Sequence, residues 1–95
     1  MYQVHILRAV RKDLKKLPKE VAHKIVHFYF TQIGQNPYRG IKLSGVLKEY
    51  YKFACRIKNV DYRIIYQILE KEKVVIIIAV GKREKFYARL LKRIK

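Results

Sequence analysis

An α+β domain with the order β-α-α-β-β-β-α is predicted, and three observations predict it. Two apolar stripes at helical spacing flank Pro18, three short runs rich in Val, Ile and Tyr follow in quick succession, and a last helical pattern closes the chain. With 95 residues there is material for one core and not for two, so a single domain over residues 1–95 is expected.

The first run, YQVHIL at residues 2–7, alternates as a strand does, with Tyr2, Val4 and Ile6 on one side. A helix follows from about Ala9, with Val10, Leu14 and Leu17 on its apolar stripe and Arg11, Lys12, Lys15 and Lys16 turned away from it. Pro18 ends that helix and can open the next, because the first helical position needs no donor. The second helix presents Val21, Ile25, Phe28, Tyr29 and Ile33 as its buried face and stops near Gly34, which makes a helical hairpin. GQNPYRGIKLSG holds three of the four glycines and reads as a loop.

Three strands are then predicted at residues 50–58, 61–69 and 74–80, and their short connections demand an antiparallel meander. The third is apolar on both sides, as a strand covered on both faces would be, so the hairpin and the last helix should sandwich the sheet. After Gly81 that helix runs from about Glu84 and carries Tyr87, Leu90, Leu91 and Ile94 at helical spacing.

Half the residues are hydrophobic, eight of them Tyr and four Phe, which is the composition of a folding chain and not of a basic disordered tail. Its exterior is unusual. With 23 Lys and Arg against seven acids, the net charge of +16 selects a polyanionic partner: nucleic acid, ribosome, acidic protein or anionic membrane. The lone Cys55 rules out an internal disulfide, and the run VVIIIAV is too short to span a bilayer. A soluble protein of the cytoplasm, without membrane contact, is expected.

Within CRIKNVDYRIIY a two-residue turn at Asn59 and Val60 would pair Arg56 directly with Arg63. Lys52 and Ala54 share that face, whereas Tyr51, Phe53, Cys55 and Ile57 point to the core. Lys82 and Arg83, in the GKR that follows the third strand, arrive at a strand end beside this basic floor. A tight turn at Lys71 and Glu72 turns Lys82 to the floor, and a bulge permitted by Gly81 turns Arg83 there instead; the spacing leaves both open. Cations so crowded repel when alone and suit a phosphate, to which Arg donates two parallel hydrogen bonds. Tyr87 is either core or a rim residue able to stack on a base.

Other signals carry less. His23 and His27 lie one helical turn apart, but no Glu follows His23 and no third ligand is evident, so surface or packing roles are expected. Cys55 reads as a small core residue. The sequence has no Gly-rich phosphate loop and no interpretable Ser/His/Asp set.

DYRIIYQI, the apolar strand with VGKREKFY after it, and DLKKLPKEV and NPYRGIKLSG upstream resemble, in order and spacing, the RelE branch of the RelE/ParE toxin superfamily over nearly the whole chain. The resemblance implies the RelE-like fold and a ribosome-dependent endoribonuclease that cuts messenger RNA in the decoding site. The implied chemistry is attack of a 2′-hydroxyl on the adjacent phosphate, with no metal and no cofactor. Arg63 and Arg83 would hold the scissile phosphate, and Tyr87 matches the tyrosine that orients or activates the substrate. Arg56 would join this set.

Where the best-known members carry lysines on the first meander strand, this chain has Ala54 and Arg56. Arginine is a poor base, since its pKa stays above about 12, so Lys52 or Lys82 would take the hydroxyl proton, crowding by cations favouring a neutral lysine. Arg11, Lys12, Lys15, Lys16 and Lys42 would rest on ribosomal RNA, with strong salt dependence. The implied partner is an acidic, partly disordered cognate antitoxin in a toxin–antitoxin hetero-oligomer. Two rival readings are a ParE-like inhibitor of DNA gyrase, whose members generally lack the arginine and tyrosine set, and a non-catalytic RNA- or ribosome-binding domain.

Overall fold

The computed structural model describes residues 1–82 and 86–94. Strand β1 spans Gln3–Ile6 and helix α1 Arg8–Lys15. Helix α2, Lys19–Lys24, passes through a π-helical stretch, Ile25–Tyr29, into α3, Phe30–Gln35. Strands β2 (Ile41–Lys42), β3 (Tyr50–Ile57), β4 (Val60–Leu69) and β5 (Val74–Lys82) follow, and helix α4 is Phe86–Ile94. They form one five-stranded sheet in the order β1-β5-β4-β3-β2. Strand β1 runs parallel to β5, and the other pairs are antiparallel.

The predicted α+β order and the sandwiched sheet are present. Tyr62, Ile64, Tyr66, Val75 and Ile77 pack under α1–α3, against Val10, Val21, Ile25, Phe30 and Ile33. On the opposite face Ile65, Ile78 and Ala79 pack under Phe86 and Leu90 of α4. Strand β5, apolar on both sides, lies inside the sheet as its pattern required. Strand β2 was not foreseen; its two residues pair with Lys52 and Tyr51 inside what reads as a loop.

Three local features differ from the sequence reading. The first is the face of the long helix: Phe28 is 48% exposed and Phe30 is 6% exposed. A π-helical turn holds one residue more than an α-helical turn, so after Ile25 the buried position falls five residues on, at Phe30.

The second is the turn between β3 and β4. Its central residues are Lys58 and Asn59, with φ of 52° and 66°, and not Asn59 and Val60. A tight hairpin turn of this kind needs left-handed backbone at both central positions, which a β-branched valine resists. The register therefore moves by two residues: Arg56 faces Asp61, and Arg63 faces Ala54. An even shift keeps every side chain on its predicted face, but the direct Arg56–Arg63 pairing does not exist.

The third is a bulge in β5. Tyr66 pairs with Ile77 but Ile65 pairs with Ala79, so Ile78 is the extra residue. The bulge lies there and not at Gly81. Beyond it Gly81 pairs with Arg63 and Lys82 with Tyr62.

Gly40 is demanded by space. A Cβ there would collide with the Tyr66 hydroxyl and come within 2.9 Å of the Lys52 carbonyl oxygen. The Tyr66 ring is fully buried and its hydroxyl donates to the Pro37 carbonyl at 2.6 Å, so it cannot retreat freely. Gly40→Ala should lower the unfolding free energy by about 1–3 kcal/mol, the usual cost of overpacking; an unchanged urea midpoint would show that the loop shifts without strain.

Burial also sets an alkaline limit. It pushes the Cys55 thiol from 9.0 up to about 11 and the Tyr66 phenol from 10.0 up to about 12. Both fold neutral, so their contribution is whole below the unfolded values and is lost as pH rises through the folded ones. Urea midpoints should fall between pH 9.0 and about 11, and Cys55→Ala should shallow that fall; an identical fall in the variant would remove the thiol from the account.

Candidate functional site

The site begins with the absence of a side chain at Gly81. A Cβ there would lie 2.9 Å from the Phe86 ring, so the missing atom lets the start of α4 settle onto β5 opposite Arg63. Phe86 is buried, and the next residue, Tyr87, reaches the arginine. The Arg63 guanidinium donates from Nη1 to the Tyr87 hydroxyl at 2.9 Å, and its Cζ lies 5.6 Å from the ring centroid. The sequence left Tyr87 between core and rim. It serves as both, its ring packed on the α4 side of the core and its hydroxyl on Arg63.

Arg63 has no acidic partner among the described residues, where the ion pairs are Arg56–Asp61, Lys58–Glu20 and Arg93–Asp13. Its Nε is buried without a hydrogen-bond partner there. A guanidinium has five N–H donors, so most of the fork stays available to an anion. Leaving a buried donor unmade costs roughly 1–3 kcal/mol, so the guanidinium is held in this position against a local penalty.

The remaining predicted residues are placed unevenly. Arg56 shares the Arg63 face, in a shallow cavity of about 290 Å³ with Ala54 and Asp61, but it donates to Asp61 at 3.1 Å. That pair is largely exposed and so weak and easily opened. Lys52 lies on the same face, one pleat repeat beyond Ala54, opposite Ile65. Lys82 does not join them: beside Tyr62, it points to the α1 side and lines a cleft with Lys16, Leu17 and Arg89. The bulge at Ile78 is the cause, since one extra residue inverts the alternation. Arg83 lies outside the described residues. Among the described residues the site is thus Arg63 with Tyr87, flanked by Arg56 and Lys52.

The exposed Arg11, Lys12 and Lys15 belong to α1, and Lys16 follows it directly, on the opposite face of the sheet. Lys42, on β2, pairs with Tyr51 and shares its face, also away from Arg63. His23 and His27 pack against each other, ring centroids 4.2 Å apart and planes tilted by 39°, and among the described residues no three metal-ligating side chains converge.

Sequence reasoning missed Asp61 as the partner of Arg56, and it missed Asp13. Asp13 is 7% exposed and is bound by both Arg93 nitrogens, Nη1 to Oδ2 at 2.7 Å and Nη2 to Oδ1 at 3.0 Å. A signal was available. Asp13 falls at helical spacing on the stripe of Val10, Leu14 and Leu17, and Arg93 extends the stripe of Phe86 and Leu90.

Residues 4–92 match the family model described as the ParE-like toxin of type II bacterial toxin–antitoxin systems. The chain is 27% identical to Toxin RelG of Mycobacterium tuberculosis (strain ATCC 25618 / H37Rv), covering 93% of this chain and 98% of that one. It is 33% identical to the mRNA interferase toxin RelE of Escherichia coli (strain K12), covering 90% and 77%. Among solved structures, the toxin–antitoxin complex RelBE2 of Mycobacterium tuberculosis has a chain with TM-score 0.75 and 29% identity, covering 86% of this chain and 91% of its own. A doubly substituted E. coli toxin RelE in the free state also gives 0.75, at 25% identity and coverage of 99% and 98%.

Because Asp61 competes with any incoming anion for Arg56, Asp61→Asn should tighten binding of an RNA oligonucleotide and steepen its salt dependence by about one unit of log–log slope. Weaker binding in titrations at two salt concentrations would show that the carboxylate helps the ligand.

Proposed function

The chain belongs to the ParE-like toxins of type II bacterial toxin–antitoxin systems, as a RelE-type member, and from that premise we propose that it is an endoribonuclease that cuts messenger RNA in the decoding site of the ribosome. The observation that carries the reading is the Arg63 guanidinium, free of acidic partners among the described residues and held on the Tyr87 hydroxyl at an accessible sheet face. A relative named an mRNA interferase, matched over 90% of this chain, supports the same reaction class.

The proposed reaction needs no metal. The RNA 2′-oxygen attacks the adjacent phosphorus as its proton passes to a base, the bond to the 5′-oxygen breaks, and that oxygen gains a proton. Negative charge grows on the non-bridging oxygens, so a guanidinium fixed in advance stabilises the transition state more than the ground state. Arg63 supplies that charge, and Tyr87 steers the guanidinium and offers a ring for a base to stack on. Lys52 is the base candidate on the correct face, since Lys82 points away. Arg56 would leave Asp61 for a neighbouring phosphate, and Arg83 would assist at the scissile group.

The exposed cations of α1, with Lys42, would hold ribosomal RNA while the Arg63 face meets the message. A cognate antitoxin, acidic and partly disordered when free, would cover the toxin; the relative from Mycobacterium tuberculosis was solved as such a complex.

Programmed ribosomes incubated with the protein should yield message ends mapping to the decoding site, and Arg63→Ala should slow cleavage by about 10²–10³-fold, the usual cost of removing one transition-state donor. Intact message at stoichiometric toxin rejects the enzyme. Inhibited supercoiling in a gyrase assay with intact message would replace it with the gyrase reading.

A further inference from the structure

Strand β1 ends at Ile6, and Leu7 N–H donates to the Ile77 carbonyl at 3.2 Å, so β5 continues past its parallel neighbour with an uncovered edge. Asp13 and Arg93 close that edge. The Val80 N–H donates to Asp13 Oδ2 at 3.0 Å, and Arg93 Nη1 donates both to that oxygen at 2.7 Å and to the Ile78 carbonyl at 3.0 Å. Arg93 is three-quarters buried, and the carboxylate beside it raises its pKa, holding it charged. One side chain from α1 and one from α4 thus meet on the backbone of the bulge.

We propose that Asp13 is a positioning residue that, through Arg93, sets the register of α4 on the sheet and thereby holds the Tyr87 hydroxyl on Arg63. The inference rests on the enzymatic reading of that site. Helix α4 has nine residues, too few to be stable alone, and its fully buried apolar anchors are Phe86 and Leu90. Apolar contacts have no direction and would tolerate a slipped or rotated helix. A bidentate arginine–carboxylate pair tolerates neither.

The lever is short. Arg93 lies six residues beyond Tyr87, about 9 Å along the axis, and a slip of one residue would turn the helix by about 100° and carry Tyr87 off the arginine. Buried ion pairs contribute little net stability against apolar replacements, whereas fixing a register is their best-attested use.

The test combines Asp13→Asn, Tyr87→Phe and the double variant, with single-turnover cleavage on saturating programmed ribosomes, ribosome affinity and amide exchange along α4. Asp13→Asn should lower the cleavage rate constant by about 10²-fold, the scale of a small misplacement, with affinity unchanged and α4 exchanging faster than the sheet. In the Tyr87→Phe background it should cost nothing further, because the residue it positions is already disabled. An equal loss in both backgrounds, or unchanged α4 protection, overturns the proposal. Should Asp13→Asn fail to fold, Arg93→Lys keeps the charge but breaks the fork, and the same outcomes are read from it. If the wild-type protein leaves the message intact, the enzymatic reading falls by itself, and α4 exchange still decides whether the pair holds the helix.

Discussion

One extra residue in β5 governs how this sheet serves both its faces. Without the bulge at Ile78 the strand would alternate uniformly, Arg63 would face Val80, and Gly81 would point into the hairpin core. With it, Ile78 and Ala79 both turn toward α4, which widens the apolar seat for Phe86 and Leu90. Gly81 then stands opposite Arg63, the one place where a missing side chain allows α4 to approach. The bulge also frees the Ile78 carbonyl from the regular ladder, and Arg93 takes it up. Fold, helix seat and candidate site thus share one irregularity, as bulges beside functional sites often do.

Much of the architecture was legible because periodicity is a local property. Alternation in residues 61–69 and the two-sided apolar run of 74–80 announced their strands, and the stripe of Val10, Leu14 and Leu17 announced α1. Phase was harder to read. The π-helical stretch exchanges Phe28 for Phe30 with no sequence mark that spacing rules detect, since both positions carry phenylalanine. The hairpin turn was legible in principle, for a rule against valine at left-handed positions selects Lys58 and Asn59 over Asn59 and Val60. The face of Lys82 depended on the bulge at Ile78, and the seat that bulge makes for α4 is a tertiary feature that leaves no local trace in the sequence.

The candidate site was legible in its face and not in its contacts. Parity carried Arg63, Arg56 and Lys52 to one side of the sheet correctly, because an error of two residues in register conserves faces. Parity says nothing of which neighbours touch. Arg56 meets an acid where a like charge was expected, which removes the repulsion that made the predicted pairing costly. The most informative residue was a charge in the wrong place: Asp13 interrupts an apolar stripe, and a buried carboxylate requires a partner wherever it occurs.

Charge on this molecule is divided by the sheet. The cations of α1 lie exposed on one side, over the core and the buried Asp13, so what they offer is a summed field, of the kind that attracts a polyanion without orienting it. Arg63 lies on the other side, half enclosed, its Nε buried and its Nη1 fixed on a phenol. A charge so restrained cannot rearrange to suit whatever anion arrives, and that rigidity separates the two surfaces chemically. Electrostatic catalysis requires a field in place before the charge it stabilises appears, so that no reorganisation is spent at the moment of reaction. The exposed lysines lack that restraint, whereas Arg63 has it from α4, and α4 has its seat from the bulge and the buried pair at its far end.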